Sequence, residues 1–150
     1  MTTKQFGSSF YTDAQVAVAQ QTWKIVRQLG FWEIPATAAI VCQIVESSLN
    51  GPIWYGDNSV TKGAYQQKDA WVPSVVLNKD QDPRRSLLGG TFLFLFGGYA
   101  SGTPGLFAFD WVNLPIGTLV QKVQGSNVPD AYAAKLADAQ ALLTYVKTLP

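Results

Sequence analysis

Apolar residues recur at helical spacing over most of the chain, which predicts a mainly α-helical fold. Thr12 and Gln15 form a capping-box pattern and Gly30 supplies a stop, so we predict a first helix over residues 13–29. Pro35 suits the first turn of a second helix. This second segment is apolar nearly all round, which predicts a central, buried helix.

The remaining segments complete the predicted architecture. Residues 1–11 are expected to form an irregular lead-in, and residues 51–81, rich in turn formers, a short hairpin or irregular loops. Three further helices are predicted, from Asp82-Pro83 to about Phe96, from Pro115 to Gly125, and from Pro129 to about Val146. Gly89-Gly90 is expected to pack closely against another helix. The fold class is therefore mainly α, with a small irregular or β insert, in one domain over residues 1–150.

The composition of the chain limits the classes of protein to which it could belong. Hydrophobic residues make up 47% of the chain and charged residues 14%, with a net charge of +1, which favours a folded domain and argues against nucleic-acid binding. The most apolar run, Thr91–Phe96, is predicted to be buried, because it is far shorter than the ~20 residues that span a membrane. The N-terminal segment shows no signal peptide pattern.

Several kinds of catalytic chemistry are excluded by residue type. The chain has no histidine and one cysteine, Cys42, which rules out Ser-His-Asp and Cys-His arrangements and an intramolecular disulfide. The same shortage argues against a tetrahedral zinc site, and no metal or cofactor is implied. Cys42 lies in an apolar helical run and is predicted to be a buried thiol.

Acid chemistry remains open, and Glu46 is its first candidate. It is one of two glutamates, with Glu33, and it lies where the apolar helix gives way to a Gly-rich, aromatic turn region. Partial burial favours a neutral carboxyl, which glycoside cleavage needs as a proton donor. Asp57 or, less well, Asp69 could supply a second carboxylate that activates water. Alternatively, Glu46 is a solvated helix-end residue.

Three short motifs in a fixed order carry a resemblance. They are Glu46-Ser47-Ser48-Leu49-Asn50, Tyr55-Gly56-Asp57-Asn58 and Gly63-Ala64-Tyr65-Gln66-Gln67. Together they resemble the active-site signature of the goose-type lysozyme and lytic transglycosylase superfamily, and are similar to lysozyme-like domains of phages that infect actinobacteria. With similar segments downstream, the resemblance covers about residues 35–145.

The resemblance implies a lysozyme-like fold and a role for each matching residue. Glu46 would be the general acid, Asp57 would position water, and Asp69 is the weaker candidate for that task. Ser47 would support the sugar or orient Glu46. The implied substrate-binding residues are Ser47, Tyr55, Gly63, Tyr65, Gln66, Gln67, Gln124 and Tyr132.

The expected function is a peptidoglycan glycosidase that cleaves the β-1,4 bond between N-acetylmuramic acid and N-acetylglucosamine. The Tyr-Asn-Ala-Gly motif of lytic transglycosylases is missing, and Val123-Gln124-Gly125-Ser126 stands roughly in its place, which favours hydrolysis. A lytic transglycosylase and a non-catalytic wall-binding or virion structural domain are the alternatives. The expected partner is bacterial peptidoglycan, with the protein acting as a monomer or within a larger lysin or tail protein. It would be made in a host cytoplasm and act on the cell wall.

Overall fold

The computed structural model describes residues 2–54, 61–126 and 129–150. Its architecture is mainly α-helical, as predicted, with two small antiparallel sheets. The α-helices of the described residues are α1 (Asp13–Gln28), α2 (Glu33–Ser47), α3 (Leu87–Phe96), α4 (Ile116–Gln124), α5 (Pro129–Ala133) and α6 (Leu136–Val146). The strands are β1 (Thr3–Phe6), β2 (Ser9–Thr12), β3 (Thr61–Lys62) and β4 (Gln67–Lys68), and 3₁₀ turns cover Asp69–Trp71, Pro83–Arg85 and Leu106–Ala108.

Helix α1 begins where its capping box predicted. The Thr12 hydroxyl accepts the Gln15 amide at 3.2 Å, and the Gln15 side chain accepts the Thr12 amide at 2.8 Å. These two bonds satisfy amides that the first turn would otherwise leave unpaired. The helix ends at Gln28, one residue before the predicted bound.

Helix α2 is the central element, as its apolar surface predicted. Every residue from Pro35 to Ile44 is buried, and the helix packs against α1, α4 and α6. Cys42 has no exposed surface, and burial, with a smaller contribution from the charge of Glu46, raises the pKa of its thiol. The thiol is therefore a packing group and not a nucleophile.

The prediction of an irregular lead-in was wrong, because residues 3–12 form a β-hairpin. Phe6 pairs with Ser9 across a two-residue turn, Gly7-Ser8. Gly7 has φ +63°, and a Cβ there would lie 2.1 Å from the Asp138 carboxylate, so the turn requires glycine. A Gly-Ser pair between two short strands is a known hairpin signal that the sequence offered.

The predicted third helix is two elements. Asp82 caps only the 3₁₀ turn Pro83–Arg85, and Ser86 then adopts extended backbone and caps α3 through the Gly89 amide at 2.9 Å. The Gly89-Gly90 pair does serve close packing, but not against another α-helix. Gly89 lies against the backbone of Pro83, and Gly90 against the ring of Tyr65.

The predicted last helix is also broken, at Ala134–Lys135, into α5 and α6. The two segments have different partners: α5 packs chiefly on α4, whereas Asp138 in α6 accepts bonds from Tyr11 and from the Ser8 amide of the N-terminal hairpin. One straight helix would not meet both partners.

Residues 51–81 contain the predicted short hairpin, with Thr61 paired to Lys68 and Lys62 to Gln67. The run Thr91–Phe96 is only partly buried, since Phe92 and Phe96 are 48% and 46% exposed. None of the described helices combines the length and apolarity needed to cross a membrane. Buried side chains from Phe6 to Val146 form one hydrophobic core.

Candidate active site

A cleft of about 270 Å³ opens where the C-terminal end of α2 meets the β3–β4 hairpin, the end of α4 and helix α5. Its described lining is polar apart from one indole and the ring of a tyrosine. The lining residues are Glu46, Thr61, Gln66, Gln67, Lys68, Trp71, Gln124, Gly125, Ser126 and Tyr132. Five of the predicted site residues, Glu46, Gln66, Gln67, Gln124 and Tyr132, are thus brought together.

Glu46 lies in the last turn of α2, half-buried in the cleft wall. The hydroxyl of Tyr132, from α5, donates to Glu46 Oε1 at 2.6 Å. Tyr132 is 1% exposed, and burial together with this bond raises its pKa well above the usual range, so that it remains a phenol and a donor. Among the described residues no cation lies within 4.0 Å of the Glu46 carboxylate.

The end of α2 is fixed by unusual backbone. Ser48 and Leu49 both have positive φ, +54° and +57°, a conformation that costs about 1–2 kcal/mol for a residue with a side chain. Their amides bond to the carbonyls of Ile44 and Gln43, and Leu49 is fully buried. The turn directly after Glu46 is therefore held by both hydrogen bonds and packing.

Ser47 does not line the cleft, contrary to its predicted contact with substrate. Its side chain is buried, and its hydroxyl lies 2.8 Å from the Ala64 carbonyl and 3.1 Å from the Gln43 carbonyl. Ser47 therefore ties the β3–β4 hairpin to the end of α2, and so fixes the hairpin beside Glu46.

Gly63 does permit a close contact with its backbone, but the contact is with Arg84 and not, as predicted, with substrate. It has φ +87°, and a Cβ there would lie 2.6 Å from the Arg84 carbonyl. Gln66, also at positive φ, donates from Nε2 to the Gly63 carbonyl at 2.9 Å. The glycine of the motif thus closes the hairpin turn over Arg84, and Gln66 presents its amide at the cleft.

Gln67 and Gln124 form two walls of the cleft and are held by backbone carbonyls. Gln67 donates to Gly90 at 2.9 Å, and Gln124 donates to Tyr65 at 2.8 Å. Within the described part of the chain, the side-chain oxygen of each is buried and meets no donor. Buried acceptors of this kind are uncommon in folded proteins, and the side-chain oxygen of Gln43, which does not line the cleft, is a third.

Tyr65 does not line the cleft, so the prediction that it contacts substrate was wrong. It has no exposed surface, its ring stacks on Phe94, and its hydroxyl lies 2.7 Å from Thr91 and accepts from Gln43 at 3.1 Å. Burial raises the pKa of Tyr65 far above its usual value. Tyr65 supports the hairpin from below.

Asp69 belongs to a buried ion network and not to the cleft lining. Its carboxylate lies 2.8 Å from Arg84 Nη1 and 3.6 Å from Lys62 Nζ. Arg84 also pairs with Asp82 at 2.8 Å and donates to the Gln67 carbonyl at 3.0 Å. The placement of Asp69 therefore argues against its predicted role in activating water. Asp57 and Tyr55 lie outside the described residues.

Sequence reasoning missed five lining residues: Thr61, Lys68, Trp71, Gly125 and Ser126. Trp71 had a usable signal, because it is an indole set among polar turn residues directly after the Gln66-Gln67 motif. Gly125 and Ser126 follow Gln124 at the end of α4 and come to the cleft with it.

No protein-family model and no curated protein matches the chain. In the described ranges no three His, Cys, Asp or Glu side chains are grouped so as to hold a metal ion. What the cleft offers is one half-buried carboxyl, a phenol bonded to it, a wall of amide side chains with one indole, and the exposed amine of Lys68. These groups can donate a proton and bind a neutral, hydroxyl-rich ligand.

Proposed function

We propose that the protein is a glycosidase of bacterial peptidoglycan that cleaves the β-1,4 bond between N-acetylmuramic acid and N-acetylglucosamine. One observation carries the proposal. Glu46 is the only carboxylate among the described lining residues, and Tyr132 holds it at the wall of a polar cleft. The resemblance of the motifs around Glu46 supports the same reaction.

Glu46 is the proposed general acid. Tyr132 occupies Oε1, while Oε2 accepts no bond from a described side chain and is free to carry the proton. Glu46 would deliver that proton to the glycosidic oxygen as the bond breaks, and a sugar cation-like transition state would develop beside it. General acid catalysis of this kind contributes about 10²–10⁴-fold to a rate.

The rest of the cleft suits an amino-sugar. Gln66, Gln67 and Gln124 offer amide donors and acceptors that match hydroxyl and acetamido groups. Trp71 is 6% exposed and offers a flat apolar edge to a sugar face. The cleft residues thus supply orientation, and Glu46 supplies the proton.

A lytic transglycosylase is the second candidate, and the placement of Asp69 favours it. Hydrolysis by inversion needs a second carboxylate to activate water, and Asp69 is already paired with Arg84 and Lys62. Asp57 would take that role in a hydrolase. In a transglycosylase Glu46 would act first as acid and then as base, and the sugar's own hydroxyl would replace water.

Product analysis tests the proposal and separates the two reactions. Purified peptidoglycan from an actinobacterium is digested with the wild-type protein, and the released fragments are analysed by mass spectrometry. Reducing-end muropeptides indicate hydrolysis, and anhydro-muropeptides, lighter by one water, indicate transglycosylation. Binding to peptidoglycan with no released fragment would contradict the proposal and favour a non-catalytic wall-binding domain.

A further inference from the structure

The cleft around Glu46 continues into a second depression of about 400 Å³. Lys68, Trp71, Gln124 and Gly125 line both, so the two form one groove. We name the second depression the basic arm. Its remaining described lining consists of Ala70, Ser101, Gly102, Thr103, Pro104, Lys122 and Val123.

The far wall of the basic arm is a loop that is tied to the groove floor. The Tyr99 amide donates to the Trp71 carbonyl at 2.9 Å, and the Ala100 amide to the Ala70 carbonyl at 3.3 Å. Within the loop the Gly98 amide donates to the Thr103 carbonyl at 2.8 Å. The wall is therefore built by hydrogen bonds to the same 3₁₀ turn that carries Trp71.

Two cations and no anion mark the described lining of the basic arm. Lys68 and Lys122 are both exposed, and neither lies within 4.0 Å of a carboxylate in the described part of the chain. The neighbouring Lys62 and Arg84, by contrast, are buried and paired with Asp69. Lys68 therefore borders both depressions, and Lys122 adds a second positive charge that lines the basic arm alone.

We propose that the basic arm binds the carboxylates of the peptide stem that hangs from the glycan, beside the bond that Glu46 would cleave. This inference rests on the proposed function. The N-acetylated sugar backbone is uncharged where the peptide amidates its lactyl carboxyl, so the anion must come from a substituent. Lys68 and Lys122 share a groove with Glu46, which favours a carboxylate covalently joined to the same sugar chain over a separate phosphate polymer of the wall.

Binding tests this inference independently of turnover. A soluble disaccharide-tetrapeptide and the same disaccharide with its lactyl carboxyl capped as the uncharged methylamide are titrated against Glu46→Gln protein by calorimetry. We expect the peptide-bearing ligand to bind about 3- to 10-fold more tightly, as two partly exposed ion pairs of about 0.3–0.7 kcal/mol each would give. Adding Lys68→Gln and Lys122→Gln together should abolish that difference.

The control is Lys24→Gln with Lys79→Gln, which removes the same charge from two exposed lysines that line neither depression. It should preserve the preference for the peptide-bearing ligand. Equal affinity for the two ligands, or a preference that survives loss of Lys68 and Lys122, would overturn the inference. Tighter binding of a poly(glycerol phosphate) probe than of the tetrapeptide ligand would also overturn it. Failure of the proposed function would instead appear as absent fragment release from peptidoglycan.

Discussion

The chain's two glutamates lie at opposite ends of the same buried helix, and their surroundings differ in kind. Glu33 is the first residue of α2, its side chain is 59% exposed, and it pairs with Lys147. Glu46 lies in the last turn of α2, half-buried and bonded to Tyr132, and no cation of the described residues lies within 4.0 Å of it. Glu46 borders the cleft, whereas Glu33 borders two depressions. One is lined mainly by Phe31, Trp32, Ile34, Pro35 and Trp111, and the other contains Lys147, the ion-pair partner of Glu33.

The difference bears on the proposed role of Glu46 as a proton donor. The charge of Glu33 is balanced by Lys147 and by the positive end of the helix dipole. Glu46 has neither, because it lies at the carboxyl end of α2 and its described neighbours include no close cation. A carboxyl that no cation neutralises, beside a neutral hydrogen-bond donor and polar ligand-binding groups, is suited to exchange a proton with a substrate.

The contrast between the two glutamates is tested most directly by replacing each of them with glutamine. Glu46→Gln should lower the rate of peptidoglycan cleavage by about 10³-fold, because glutamine fills the space but cannot give up a proton. Glu33→Gln should retain the wild-type rate. Release of soluble fragments from purified peptidoglycan measures both, and circular dichroism confirms that both variants fold. Equal rates in the two variants would remove Glu46 from the mechanism.

The two ends of α2 are also supported differently. Beside Glu46, the hairpin rests on Arg84, which is fully buried between Asp69 and Asp82. Beside Glu33, aromatic rings such as Phe31 and Phe107 pack at a tilt of 33°, with their centroids 4.3 Å apart. Ion pairs therefore support the structure around the Glu46 end of α2, and apolar packing supports the structure around the Glu33 end.

Arg84→Met should therefore destabilise the protein by about 3–5 kcal/mol, because it removes the buried partner of Asp82 and leaves Asp69 with Lys62, at 3.6 Å, as its remaining described ion-pair partner. Arg85→Met is the matched control, since Arg85 is exposed and its side chain, within the described ranges, contacts the carbonyls of Asn78 and Lys79 and the Trp54 ring. The control should cost about 1 kcal/mol or less. Urea unfolding measures both, and an Arg84→Met protein as stable as the control would show that the network is dispensable.

A smaller effect is expected at Tyr132, and Tyr11 provides its control. Both tyrosines are buried, and each donates to one carboxylate, Glu46 at 2.6 Å and Asp138 at 2.7 Å. Phenylalanine at either position should cost about 1–2 kcal/mol of stability. Only Tyr132→Phe should also lower the cleavage rate, by about 10-fold, because 1.4 kcal/mol of lost orientation is a factor of ten.

Steady-state kinetics beside urea unfolding separates the two roles. A Tyr132→Phe protein that loses stability but keeps its full rate would make Tyr132 a packing residue only. A comparable loss of rate in Tyr11→Phe would show that stability alone explains the effect.

The sequence predicted those parts of the fold that depend on residues close together in the chain. The capping box of α1 and the all-round apolar surface of α2 were readable because each depends on residues within one turn or one helix. Glu46 was readable for a related reason. It is the one glutamate at the boundary between an apolar helix and a polar turn region, and composition left few other groups for acid chemistry.

The supporting residues were not predictable in the same way. Three predicted substrate-binding residues are next to cleft residues in sequence but contact other parts of the protein instead of lining the cleft. They are Ser47, Gly63 and Tyr65. The sequence made Asp69 a candidate for the second, water-activating carboxylate, but its carboxylate binds Arg84, which lies fifteen residues further along the chain. Whether a polar side chain meets ligand or protein depends on such distant partners, and no short pattern records them.

The smallest expected effect comes from lowering the pH, which protonates two buried carboxyls. Asp82 belongs to the ion network beside the cleft, and Asp138 supports the N-terminal hairpin. Burial alone would raise the pKa of Asp82, but hydrogen bonds from the Arg84 side chain and from the amides of Asn78 and Arg84 outweigh it, so the pKa lies below its usual value. Burial acts in the same opposing way on Asp138, whose pKa is lowered by the Tyr11 hydroxyl, the Ser8 amide and weaker partners.

Both carboxyls therefore stabilise the folded state above the pKa of the unfolded chain, about 3.9, and lose that contribution as the pH falls through their lower folded values. Urea unfolding at several pH values should show no loss from these groups between about pH 5 and 8 and a decline below about pH 4. Tyr11→Phe removes one bond that lowers the pKa of Asp138, so its decline in acid should be shallower than in the wild type. A stability that rises on acidification below about pH 4 would contradict the assigned direction at Asp82 and Asp138.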